Sequence, residues 1–167
     1  MMLGLSLSAF TTLHVVISLI AIVTGLVVMF GMLTSARLPV LTAIFLLFTI
    51  LTSVTGFMFP FTQLLLSHMF GIASLVLLAV ACVALYAMKL NGLWRPIYLL
   101  TALLALYLNV VVLVVQGFLK VPTLHALAPG NPPDGTVFLI VQGILLLFFV
   151  GLVAGVLWRF RPKPLAA

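Results

Sequence analysis

Acidic residues are almost missing from this 167-residue sequence: Asp134 is the only one, against seven lysines and arginines. Charge of either sign is scarce, at 5% of positions, whereas soluble domains carry about a quarter. Too few polar groups exist to make a surface that water can solvate, so a soluble globular fold is excluded. Cysteine is limited to Cys82, which excludes a disulfide framework and a CxxC redox pair. The shortage of carboxylates excludes more. With no Asp or Glu in any apolar stretch, a proton- or cation-coupled transporter of the usual carboxylate type has no coupling group. Catalytic zinc held by His and Glu lacks its ligand set. Ser-His-Asp hydrolysis would have to draw on Asp134, and no GxSxG is present. The basic residues are scattered and form no groove-lining patch, so the pI of 10.3 does not imply a nucleic-acid partner.

What the chain does have is apolar length. Hydrophobic residues make up 66% of it and the mean hydropathy is +1.51, which excludes disorder and leaves a polytopic membrane protein whose first partner is the lipid bilayer. Crossing about 30 Å of hydrocarbon takes ~20 apolar helical residues. That scale predicts an all-α transmembrane helical bundle with five spans, at about 8–33, 40–59, 62–88, 97–119 and 137–160. Four form a core and one is added, within a single domain over 1–167. The breaks fall at Ala36-Arg37-Leu38-Pro39, Phe59-Pro60, Asn91-Gly92 with Arg95-Pro96, and the Pro/Gly-rich segment 121–135. The third span reads as the longest, and so as tilted or entered through an interfacial turn. The first cation is Arg37, so the N-terminal stretch lacks a basic signal-peptide region and reads as a retained helix.

Cations set the expected orientation. With the N-terminus outside, Arg37, Lys89, Arg95, Arg159, Arg161 and Lys163 fall on the cytoplasmic side and only Lys120 lies outside. The expectation is N-out and C-in across a bacterial inner membrane, with Trp94 and Trp158 as interfacial anchors.

Polar side chains inside hydrocarbon need partners, so their depth is informative. His14 and His68 each lie about six residues below the outer ends of their spans, Gln142 enters the fifth to a similar depth, and Gln63, Asn109 and Gln116 share that half at ~1.5 Å per residue. Thr11, Thr12, Thr52, Ser53, Thr55 and Ser67 lie at comparable depth. The inner half holds only Thr, Ser, Cys82 and Tyr86, whose hydroxyls can bond back to the helix. One leaflet therefore carries a polar focus. Such groups can simply bond one another and hold the bundle at roughly 0.6 kcal/mol per contact. Packing alone gives them no reason to avoid the other leaflet.

The candidate cofactor-binding residues are His14, His68, Asn109, Gln116 and Gln142. The two histidines sit on the first and third spans, which are diagonal in an up-down four-helix bundle. They would be the metal ligands if one b-type haem were held between them, with Gly71 relieving crowding near the macrocycle and Lys120 near a propionate. A quinone is the related alternative, with His14, His68 and Asn109 as donors and Phe57, Phe59, Phe61 and Phe70 along the approach. Copper would enlist Met58 and Met69, but Met69 points about 100° away from His68 on a helix.

A weak repeat supports the diagonal arrangement. His14 precedes Arg37-Leu38-Pro39-Val40 much as His68 precedes Trp94-Arg95-Pro96-Ile97. Leu13-His14, Thr55-Gly56-Phe57, Ser67-His68 and Leu108-Asn109 together resemble the pattern of small uncharacterised bacterial integral membrane proteins. The likeness covers the first four spans and brings no established activity. More loosely, the chain resembles transmembrane b-type cytochrome four-helix bundles, which implies haem ligation by His14 and His68. It departs from the two-haem cytochromes in lacking a second, inner His pair.

The outer segment 120–136 carries four prolines, His125 and Asp134, and reads as a stiff connector or a cap over the polar focus. In the fifth span, Gly151 and Gly155 form a GxxxG suited to another helix of the chain or another membrane subunit. Three function classes follow. The first is a redox-associated protein binding one haem or a quinone. The second is a non-enzymatic accessory or assembly subunit whose cluster is structural. The third is a carrier for a neutral or anionic small molecule.

Overall fold

The computed structural model describes residues 4–59 and 66–161. Its helices are α1 (Leu7–Leu33), α2 (Pro39–Phe57), α3 (Leu66–Cys82, continued by a π turn over Val83–Ala87), α4 (Trp94–Lys120), a one-turn α5 (Pro122–His125) and α6 (Thr136–Arg159). All except α5 are long and apolar enough to cross a membrane, the third over His68–Ala87. The protein is an all-α, five-span helical membrane bundle.

Local chemistry accounts for the helix ends. The Ser6 hydroxyl accepts the Ala9 amide at the start of α1, satisfying one of the orphan donors there. Pro39 opens α2 and Pro96 lies in the first turn of α4, where a missing N–H leaves no bond unmade. Among the described residues α1 and α4 run to 27 residues each, so these two exceed the hydrocarbon thickness at ~1.5 Å per residue. The start expected for the third span, at residue 62, lies outside the described residues.

The first four long helices form a ring in which α1 packs on α2, α2 on α3, α3 on α4 and α4 on α1. Across the ring, α2 touches α4, whereas α1 and α3 make no close approach among the described residues. They form the long diagonal. Outside the ring, α6 packs on α4 and α1. It buries only Phe149, Leu152 and Val156. Leu139, Ile144, Leu147 and Val150 are exposed, leaving an apolar face toward lipid.

Polarity is graded along the bundle. The buried apolar core includes Val28, Met29 and Met32 of α1, Phe45 and Leu46 of α2, Leu78 and Ala81 of α3, and Leu99, Ala102, Leu103, Ala105 and Leu106 of α4. It fills the half nearer the α1–α2 and α3–α4 turns. Small residues let backbones approach there, because dispersion rather than water exclusion drives helix association in lipid. Gly25 shows how tight this is: a Cβ at that position would stand 2.7 Å from Leu106 and 2.8 Å from Phe45.

At the same end, polar contacts tie α6 to the ring. Ser35, at φ 57 in the α1–α2 turn, donates its hydroxyl to the Arg159 carbonyl and accepts the Arg161 amide. The Arg95 guanidinium donates to the Phe160 carbonyl, placing a cation on the C-terminal end of α6, where the helix dipole favours one. Arg37, Lys89, Arg95, Arg159 and Arg161 thus share one end, and Lys120 ends α4 at the other. Lys163 lies outside the described residues. Within the GxxxG pair, a Cβ at Gly155 would meet Leu33 of α1 at 3.1 Å, while Gly151 faces open space. Gly155 therefore serves the packing of this chain.

Packing this close predicts that Gly25→Ala destabilises the bundle by roughly 1–3 kcal/mol through overpacking. Gly143→Ala, where nothing stands within 4 Å, should be neutral or slightly stabilising. Thermal unfolding of the two variants in detergent makes the comparison, and equal melting temperatures would contradict it.

Candidate functional site

The other half of the ring contains a cavity of about 80 Å³ that is not sealed from its surroundings. Each ring helix contributes to it. His14 comes from α1; Thr52, Ser53, Gly56 and Phe57 from α2; His68, Phe70, Gly71 and Ser74 from α3; and Leu108, Asn109 and Val112 from α4. The polar focus expected from depth alone is therefore a real juxtaposition, and His14, His68 and Asn109 meet there across the long diagonal.

His14 is held by one bond with a definite sense. Its Nδ1 lies 2.7 Å from the Thr55 hydroxyl oxygen, which itself lies 2.7 Å from the Leu51 carbonyl one turn back. A hydroxyl has one proton. Two oxygens that close repel unless that proton lies between them, so Thr55 donates to Leu51 and accepts from His14. In its neutral form the imidazole therefore carries its proton on Nδ1, and Nε2 is left as an acceptor. The Phe59 ring stands edge-on to the imidazole at 5.2 Å.

His68 is 6% exposed, and the Phe57 ring leans on it at 5.8 Å. Phe57 also fills the space beside Gly71, where a Cβ would meet its ring at 2.9 Å. Gly71 thus makes room for Phe57.

Among the described residues, two polar atoms on the cavity are buried and lack a partner, the Ser74 hydroxyl and the Asn109 side-chain nitrogen. Ser74 departs from the habit of its neighbours. Thr49, Thr52, Ser53, Thr55 and Thr101 each donate to the carbonyl four residues back, the usual way a helix in lipid absorbs a hydroxyl. Ser74, 3% exposed, makes no such bond. Leaving a buried donor unmade costs on the order of 1–3 kcal/mol, so two on one cavity need an explanation.

Other expected members lie elsewhere. Gln116 is exposed near the end of α4, and Gln142 is on α6, outside the ring; neither lines the cavity. Gln63 and Phe61 lie outside the described residues. Met69 is 61% exposed, so it faces away from His68 as its helical angle requires. The segment after α4 does not cover the cavity: α5 packs on α4, His125 reaches the Phe118 carbonyl at 3.3 Å, and the Gly130 amide donates to Asp134. No group of three or more His, Cys, Asp or Glu residues forms a metal site among the described residues.

Two features of the site go beyond what depth shows. Ser74 continues the three-residue spacing His68–Gly71–Ser74 on one face of α3, a signal that was available. Thr55 was placed at the right depth, but its role depends on a rotamer.

If the two orphaned atoms are unpartnered in the ligand-free protein, removing them costs nothing. Ser74→Ala and Asn109→Leu should leave its stability to thermal unfolding unchanged or raise it by up to about 1 kcal/mol, whereas His14→Ala should lower it. A loss of stability in the first two would show that they bond within the protein. Comparison with known proteins gives no match: no family model fits the chain, and no curated protein or solved structure is similar to it.

Proposed function

We propose that this protein binds the head group of a membrane-soluble carbonyl compound in the ring cavity, and that a quinone is the redox-associated form of that ligand. The observation that carries this is the pair of orphaned donors, Asn109 and Ser74, on the same cavity as His14. A carbonyl oxygen accepts from such donors, and the Phe57 and Phe70 rings supply apolar walls. Ordinary small-molecule pockets occupy about 300–1,000 Å³, far more than the cavity here. One carbonyl edge would enter while the rest of the ring and any tail stay in the bilayer, which an unsealed cavity permits. When bound, a quinone would supply two-electron redox chemistry; the chain supplies hydrogen bonds and exclusion of bulk water.

Haem is favoured less by the same residues. The cavity volume is small for a macrocycle, and Phe57 stands against both His68 and Gly71. A purely structural cluster is also favoured less, because groups that hold a bundle together are paired and these two are not. An anion carrier would want a cation at the cavity, and none lines it.

The cation distribution supports N-out, C-in insertion in a bacterial inner membrane, which puts the cavity in the outer leaflet. Titration of the detergent-purified protein with a short-chain benzoquinone should quench its intrinsic fluorescence saturably. Asn109→Leu should weaken binding by about tenfold, the loss of one buried hydrogen bond of roughly 1.4 kcal/mol. Absence of saturable binding, or a Soret band in the purified protein, would overturn the assignment.

A further inference from the structure

The bond between Thr55 and His14 bears on which form of the ligand the cavity prefers, a question that rests on the reading just proposed. Around the imidazole, Nδ1 is committed to Thr55. The next atom, Cε1, lies 3.8 Å from where a Gly56 Cβ would stand, and Gly56 lines the cavity. Nε2 follows on that edge. It makes no hydrogen bond among the described residues. The complement on offer is therefore mixed, with donors at Asn109 and Ser74 and an acceptor at His14 Nε2.

An oxidised quinone presents acceptors only, so it can answer the donors but gives His14 nothing. A hydroxyl-bearing aromatic ring can answer both, its O–H donating to Nε2 and its oxygens accepting from Asn109 or Ser74. We infer that Thr55 is a positioning residue that fixes His14 as a hydrogen-bond acceptor, and that the cavity consequently selects the reduced, hydroxyl-bearing form of its ligand over the oxidised form. Thr55 touches no ligand in this account. It acts by holding the proton on Nδ1, the role a second hydrogen bond ordinarily plays in setting a histidine tautomer.

The experiment has two readouts. In the ligand-free protein labelled at histidine with nitrogen-15, His14 should show a protonated Nδ1 and an unprotonated Nε2. Thr55→Val should redistribute the proton toward Nε2, and Thr55→Ser should restore the original pattern. Titration with a short-chain benzoquinone and its hydroquinone should then give a five- to tenfold preference for the hydroquinone, the scale of one net hydrogen bond at about 1 kcal/mol. Thr55→Val should shrink that preference to about twofold or less.

A protonated Nε2 in the wild type, or equal affinity for the two forms, would overturn the inference while leaving carbonyl-ligand binding intact. Failure of either form to bind would overturn both. Should Thr55→Val not fold, the wild-type tautomer and the Thr55→Ser variant still decide the matter.

Discussion

Hydrocarbon offers a side chain neither donor nor acceptor, so every polar group within the spans must be answered by protein or by a bound molecule. This constraint organises the bundle. Among the described residues most hydroxyls return to the carbonyl four residues back, and His14 goes to Thr55. The groups left over are few, and they are not spread at random. The Ser74 hydroxyl, the Asn109 amide and the acceptor nitrogen of His14 belong to one cavity between four helices.

The gradient along the ring makes that possible. In the half near the cationic end, Gly25 and the alanines of α3 and α4 bring the helices together, and large apolar side chains fill what remains. Such packing tolerates no void. In the other half α1 and α3 stand apart on the long diagonal, and the space between them is lined by histidine, amide and hydroxyl groups with Phe57 and Phe70. Ser35 and Arg95 anchor α6 at the close-packed end, so the added helix supports the ring without entering the cavity.

Much of the fold was legible because membrane spans announce themselves by length and apolarity, and because proline and arginine at Arg37-Leu38-Pro39 and Arg95-Pro96 mark the turns. The diagonal placement of His14 and His68 followed from alternation alone. Depth identified the right half of the bundle, since counting residues from a span end needs no tertiary information. Rotation about each helix axis does need it. That is why Gln116 and Gln142 were grouped with Asn109 yet lie off the cavity, and why the Phe57 ring beside Gly71 could not be read from depth. The proton arrangement at His14 was beyond reach as well, because it depends on two distances of hydrogen-bond length meeting at Thr55.

The central claim is that the cavity groups are kept for a bound molecule rather than for the protein. Density in the cavity tests it most directly, in an experimental structure of the protein purified from its native membrane at a resolution that defines ordered water and small ligands. The account predicts a molecule or ordered water within hydrogen-bond distance of Asn109 and Ser74. A dry cavity in which Ser74 turns back to the Phe70 carbonyl and Asn109 pairs with a neighbouring side chain would contradict it.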